Sequence, residues 1–161
     1  MADVSEHINK KGVFCLNEMK AHSQANLFVG DRRLVCRSDV DGQLLLHVPF
    51  NNTLRLSALQ LDAPTDEAPT LVKVWVNAPT LGFEDVDSVE PAQTLTLAAG
   101  DVGEGARLLP LKLVRFTKVN SLHLLLEREG ADKVAVSSIK FVGSTVEGTK
   151  SLTELGKKEE A

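Results

Sequence analysis

From Gln43 onward apolar side chains recur at every second position. Leu44, Leu46, Val48 and Phe50 share one parity, which predicts a strand with one face turned to a core. The next run, Thr53 to Leu61, opens with Leu54 and Leu56 on even positions and continues with Leu59 and Leu61 on odd ones, so a bulge is expected near Ser57-Ala58. Asn51-Asn52-Thr53, between the two runs, reads as an ordinary turn. Val72, Val74 and Val76 alternate with Lys73, Trp75 and Asn77 in a half-buried, β-branched strand. Leu95 and Leu97, set between threonines, make a shorter one. After a glycine-rich turn at Gly100 to Gly105 come Leu111 to Val119, then Leu122, Leu124 and Leu126. Val134 and Val136 are followed by Ile139 and Phe141, and this parity change at Ser137-Ser138 predicts a second bulge.

Helical signals are confined to the ends of the chain. Asp3 and Glu6 resemble a capping box and Gly12 is a stop, which predicts a short helix over residues 4 to 10. Ser151 to Leu155 has the makings of one turn before a charged stretch, Lys157 to Glu160, that should fray in water. Seven or eight short strands with no crossover helices between them predict an all-β, two-sheet antiparallel sandwich. One connection stands out. Pro79, Gly82 and Pro91 prevent regular structure between Asn77 and Pro91, and Glu84, Asp85, Asp87 and Glu90 make the segment acidic. Connections of this length in compact domains are often functional.

Composition narrows the function classes. At 161 residues, 43% hydrophobic and 25% charged, one core is enough and the chain should fold unaided. A net charge of −4 argues against nucleic acid, whose phosphates are bound by clustered Lys and Arg. The doublets Lys10-Lys11, Arg32-Arg33 and Lys157-Lys158 read as solvated charges. No apolar signal-peptide core occurs near the start, and no run approaches the roughly 20 residues of a membrane span. Cys15 and Cys36 fall outside CxxC spacing and do not make a disulfide framework. The expected setting is the reducing cytoplasm, with the nucleus a second compartment. Asn51-Asn52-Thr53 matches a glycosylation sequon, which carries little weight without a secretory signal.

The residues that carry chemistry in other proteins are scattered here. His7, His22, His47 and His123 lie in four segments without HxH or HExxH spacing, and His47 and His123 are expected on the polar faces of their strands. Gly103-Glu104-Gly105 lacks the third glycine of a dinucleotide turn. Asp39, Asp41 and Gly42 resemble the start of a calcium loop, without its remaining ligands or closing Glu. Glu84, Asp85 and Asp87 sit too close in sequence to oppose one another across a cleft, so a solvated acidic loop is preferred to an acid/base pair. Cys15 has no His or basic cluster beside it and is expected to be an idle, buried thiol. No catalytic residue, cofactor or metal is expected.

Seven segments, taken in order, resemble the PITH domain, the proteasome-interacting thioredoxin domain. They are Cys15-Leu16-Asn17-Glu18; Ser38-Asp39-x-Asp41-x-Gln43-Leu44-Leu45; Val48-Pro49-Phe50-Asn51; Pro69-x-x-Val72-Lys73-Val74-x-x-Asn77-x-Pro79; Phe83-Glu84-Asp85 with Pro91-x-Gln93; Val114-Arg115-Phe116-x-x-Val119-Asn120-Ser121-Leu122; and Phe141 to Val146. The resemblance runs from about Cys15 to Leu155. It implies a jelly-roll sandwich of the galactose-binding-like type over residues 15 to 148, after an N-terminal arm over 1 to 14 and before a tail over 149 to 161. It further implies association with the regulatory particle of the 26S proteasome. No CxxC motif and no βαβ segment precede Cys15, so disulfide reductase activity is not expected.

The function expected from the sequence is therefore a non-catalytic protein-binding module using loops at one end of a rigid sandwich. Phe83, Glu84, Asp85 and Asp87 are the candidate contacts, with Trp75 as an anchor, since an exposed aromatic flanked by acids makes a hot spot. The structural alternative is that Trp75 packs under the loop and Phe83 caps the core. Other functions in view are an adaptor or structural subunit of another large assembly, cytoskeletal or ciliary, and a carbohydrate-binding module. With no Tyr, one Trp and six Phe, the chain is poorly equipped to stack sugar rings.

Overall fold

The computed structural model describes residues 2–146. Among them lie ten strands: β1 (Ala2–Asp3), β2 (Phe14–Leu16), β3 (Cys36–Arg37), β4 (Gln43–Asp62), β5 (Leu71–Val76), β6 (Gln93–Thr96), β7 (Leu109–Pro110), β8 (Val119–Glu127), β9 (Ala135–Val136) and β10 (Ser138–Thr145). All pairings between named strands are antiparallel. The expected helical turn at Ser151 to Leu155 and the boundary at 148 lie outside the described residues. No helix among the described residues is long and apolar enough to cross a membrane.

The turn expected at Asn51-Asn52-Thr53 is a correction, because β4 runs unbroken through it for 20 residues. Against β8 the register slips there: Pro49 faces Ser121, while Leu54 faces Val119. The extra residues bend the strand instead of ending it. Its first half lies between β2 and β8, its second between β7 and β10. One curled sheet, ordered β1-β10-β4-β8-β5-β6, thus supplies both layers, and β3-β9 form a small separate sheet. Leu44, Leu46, Val48, Leu56, Leu59, Leu61, Val72, Val74, Leu122, Leu124, Leu126, Ile139 and Phe141 fill the space between.

The bulge expected near Ser57-Ala58 is present. Val142 pairs with Ala58 and Gly143 with Leu56, which leaves Ser57 without a partner residue and shifts the inward face from even to odd positions. A Cβ on Gly143 would meet the Arg55 carbonyl oxygen at 2.0 Å, so the crossing is built for glycine. The parity change at Ser137-Ser138 has another cause. There the chain leaves β9 in the small sheet and enters β10 in the large one, with Ser137 N–H bonded to Asp62 O at 2.7 Å.

Two further expectations are corrected. In place of a helix over residues 4 to 10 stand two short 3-10 turns, Ser5–His7 and Lys10–Gly12. Ile8 interrupts them to bridge Phe50, and Asn9 N–H bonds Pro49 O at 2.9 Å, so pairing with β4 wins over a helix too short to hold itself. The N-terminal stretch lies along the sandwich, β1 pairing with β10 and Val4 N–H reaching Phe141 O at 3.0 Å. Leu111 to Val119 is likewise not one strand. After β7 the chain makes a 3-10 turn at Leu113–Arg115, which drops the fully buried Phe116 into the core beside Leu56, whose N–H bonds Phe116 O at 2.9 Å.

Candidate partner-binding surface

The residues alternate to core on β2, β4, β8 and β5 form rows across the outer face of one layer. Phe14, His47, His123 and Trp75 face one another in turn, and Leu16, Leu45, Leu125 and Lys73 make the adjacent row. An antiparallel layer usually offers such a face to water. Here the connection from Asn77 to Pro91 lies over it: Leu81, Val86, Ala78 and Phe83 pack on Leu45, Trp75 and Leu125 to make a second apolar cluster. The sequence did carry a signal for it. Leu44-Leu45-Leu46 and Leu124-Leu125-Leu126 are unbroken apolar runs, the mark of strands covered on both sides.

Trp75 is the fastening of this loop. Its ring is 2% exposed and its Nε1–H donates to Val89 O at 2.8 Å. It is therefore no exposed anchor, and the packing of Trp75 under the loop is what the structure contains. Phe83 is half-buried against the same cluster. Phe83–Asp85 form a 3-10 turn, closed by Gly82 N–H to Asp85 Oδ2 at 3.0 Å and by Val89 N–H to Asp85 O at 2.8 Å. Asp85 thus spends one carboxylate oxygen inside its own loop. Glu84, whose carboxylate folds back over Gly82, and Asp87 are exposed, as are Ser88, Val89 and Glu90.

The ends of the loop are tied to a neighbour that pattern analysis missed. Asn77, at a positive φ of 58°, donates through Nδ2 to Lys118 O at 2.9 Å and accepts from Asn120 N–H at 2.7 Å. Gln93 donates through Nε2 to Pro110 O at 3.1 Å and accepts from Lys112 N–H at 2.8 Å. These bonds set the Leu113–Arg115 turn beside the acidic crest, with Val89, Glu90 and Arg115 around one shallow pocket. Leu113 is 53% and Val114 81% exposed. Read as strand residues, they gave no sign in the sequence that they would stand in solvent.

His47 and His123 are not an ordinary surface pair, which corrects the sequence expectation. Their rings lie 4.3 Å apart with Phe14 stacked 4.9 Å from His47, and His123 is 1% exposed. Neither nitrogen of His123, nor Nδ1 of His47, has a hydrogen-bond partner among the described residues. Burial pushes His123 down to about 4, helped by the neighbouring His47. Burial lowers His47 as well, against a bond to the Leu122 backbone that works the other way. At neutral pH both rings are uncharged and serve as packing. Asp41 and Gly42 are structural: Asp41 Oδ1 accepts from Asn17 Nδ2 at 2.9 Å and Gln43 N–H at 3.2 Å, and Gly42 leaves no room for a Cβ beside Ala131 O, 2.5 Å away, while Asp39 is exposed and bonded to Asn17 O through its backbone N–H.

Comparison with known proteins fits this arrangement. The PITH domain family matches over residues 1–161. Thioredoxin-like protein 1 of Schizosaccharomyces pombe is 28% identical over 138 residues, covering 82% of this chain and 48% of that protein. PITH domain-containing protein 1 of Homo sapiens is 29% identical over 140 residues, 83% of this chain and 65% of its own length. The chain therefore spans from about half to just under two thirds of these relatives. Among solved structures, CBM32-3 from a family 31 glycoside hydrolase of Clostridium perfringens superposes with a TM-score of 0.57 at 12% identity, covering 87% of this chain and 97% of that one. The CBM32-1 and CBM32-2 domains of Clostridium perfringens ZmpB in complex with GalNAc give 0.62 at 12% identity, covering 91% and 37%. At such identities the likeness establishes the galactose-binding-like fold alone. With the whole chain matched and the motif residues Asn17, Asn77, Gln93 and Asn120 found as the polar ties of its loops, this protein belongs to the PITH domain family.

Proposed function

We propose that the chain is a non-catalytic protein-binding module that docks on the regulatory particle of the 26S proteasome through the crest of the 77–91 loop and the adjoining Leu113–Arg115 turn. The observation that carries this reading is a loop fastened from beneath by Trp75, whose exposed Val89 and Glu90 share a pocket with Arg115 of the turn that holds exposed Leu113 and Val114. A surface ordered before it binds loses little entropy on docking, and an apolar centre with a charged rim is the anatomy of a protein interface. The family name adds its weight to the choice of partner. The non-catalytic reading is supported by His47 and His123, which stack on each other across the sheet, with neither His123 nitrogen nor His47 Nδ1 bonded among the described residues, instead of orienting a nucleophile. The compartment that goes with this reading is the cytoplasm, with the nucleus a second, and neither nucleic acid nor membrane is a partner.

Purified protein used as bait should enrich regulatory-particle subunits from a cell extract. The double variant Leu113→Ser, Val114→Ser should lose most of that enrichment while its melting temperature stays close to wild type, since exposed side chains contribute within about 0.5 kcal/mol to stability. No enrichment by the wild-type protein sinks the reading. Co-elution with a cytoskeletal or ciliary complex in native size-exclusion would favour an adaptor role in that assembly instead.

A further inference from the structure

Cys15 and Cys36 belong to β2 and β3, which do not pair with each other, yet both side chains turn into the interior, at 8% and 1% exposure. Residues 17 to 19 and 37 to 39 are laced together by Met19 N–H to Arg37 O and Asp39 N–H to Asn17 O, each 2.8 Å, with Glu18 bridged to Ser38. This lacing brings Glu18 to the same place as the two thiols. Its Oε1 accepts the Gln24 N–H at 2.7 Å, which fixes the carboxylate. The two Sγ atoms and a Glu18 oxygen lie within 4.8 Å of one another.

Three groups that are anions when ionised, gathered at the margin of an apolar core, repel one another unless something positive sits between them. Two sulfurs and one carboxylate oxygen suit a borderline-soft ion. Ligands at 2.0–2.3 Å around a tetrahedral zinc stand roughly 3.3–3.8 Å apart, so side-chain movements on the order of an ångström close the present spacing. Glu18 is half-buried, so one member of the cluster reaches the surface.

We propose that Cys15, Glu18 and Cys36 form a binding site for zinc(II), which clamps β2 to β3 and so ties the small sheet to the large one. Binding exchanges two thiol protons for one ion: both Cys–SH groups become thiolates, and the protons go to solvent. A ligand held by the folded chain alone raises its melting temperature.

The test uses the full chain, reduced and stripped of metal, titrated with cobalt(II) and zinc(II). One cobalt per chain should bind, with a sulfur-to-cobalt charge-transfer band that zinc abolishes, and zinc should raise the melting temperature. Cys15→Ser and Cys36→Ser should each remove the band. Glu18→Gln, at a half-buried position where misfolding is not expected, should keep the circular dichroism of the wild type and weaken zinc binding by at least the roughly 10-fold that loss of an outer-sphere partner costs. Lack of a charge-transfer band in the reduced wild type overturns the site. So does metal uptake that persists in the Cys15→Ser, Cys36→Ser double variant. Protein isolated with Cys15 and Cys36 joined as a disulfide, and taking up no metal after reduction, also overturns it.

Discussion

Trp75 occupies a position that strict alternation assigns to the outer face of β5, yet it is almost fully covered, with its indole N–H bonded to Val89 O. Trp75→Phe keeps the buried ring and orphans that carbonyl, and should cost about 1 kcal/mol. Trp75→Ala should cost about 3–5 kcal/mol in chemical denaturation and expose the 77–91 loop to protease under conditions where the rest of the domain stays folded. His123 offers a test of a different kind. Unfolded, it binds a proton near its ordinary 6.5; folded, burial holds that back to about 4. Between those values the unfolded state carries more protons, so stability is full above 6.5 and is lost as pH falls towards 4. Urea titrations across this range should show a shallower fall for His123→Phe than for wild type, with a part of the slope left to His47, whose shift has the same sign. The Phe variant should also be no less stable at pH 7, because the ring it replaces buries two nitrogens without partners.

Among the elements, the strand faces were legible wherever side chains alternate cleanly. Leu44, Leu46, Val48, Val72 and Val74 are all fully buried, and the even-to-odd change between Leu56 and Leu59 announced the bulge at Ser57. Gly143 opposite that bulge is the price of the crossing, and Gly143→Ala should lower stability by about 1–3 kcal/mol or more, measurable as a drop in melting temperature, because backbone at Arg55 cannot move aside as a flexible side chain would. What was not legible depended on partners distant in the chain. Nothing local tells that Asn51 to Thr53 stay in a strand, since Thr53 is held by Asn120 through Oγ1 at 2.6 Å and by Val146 N–H at 3.0 Å. Nor does the local pattern show that Leu113 and Val114 leave the sheet, a choice forced by the descent of Phe116 into the core.

At the scale of the molecule, the acidic connection is the segment that stands out in the sequence, and its four candidate residues play different parts. Glu84 and Asp87 are exposed, Phe83 is half-buried, and Asp85 is used internally. Arg115 shares a pocket with Glu90, and Lys112 and Lys118 are bonded through their backbones to Gln93 and Asn77 at the two ends of the loop, so both signs of charge occur around one surface. Charge reversal of Glu84→Lys with Asp87→Lys should therefore change the association rate and its salt dependence more than the dissociation rate, readable by surface plasmon resonance against a purified partner. The thiol cluster was out of reach of sequence reasoning for a plain reason: Cys15 and Cys36 are brought together by lacing between residues 17–19 and 37–39, a contact that spacing does not encode.

The unbroken course of β4 through both layers bears on how such a domain comes apart. Since the same ribbon carries the hydrogen bonds of β2 and β8 at one end and of β7 and β10 at the other, neither half possesses a spine of its own. A chain severed near Asn51 would be left with two incomplete pieces, each dependent on the other to cover its leucines, and a pulling force transmitted along that ribbon would be felt by the entire domain at once.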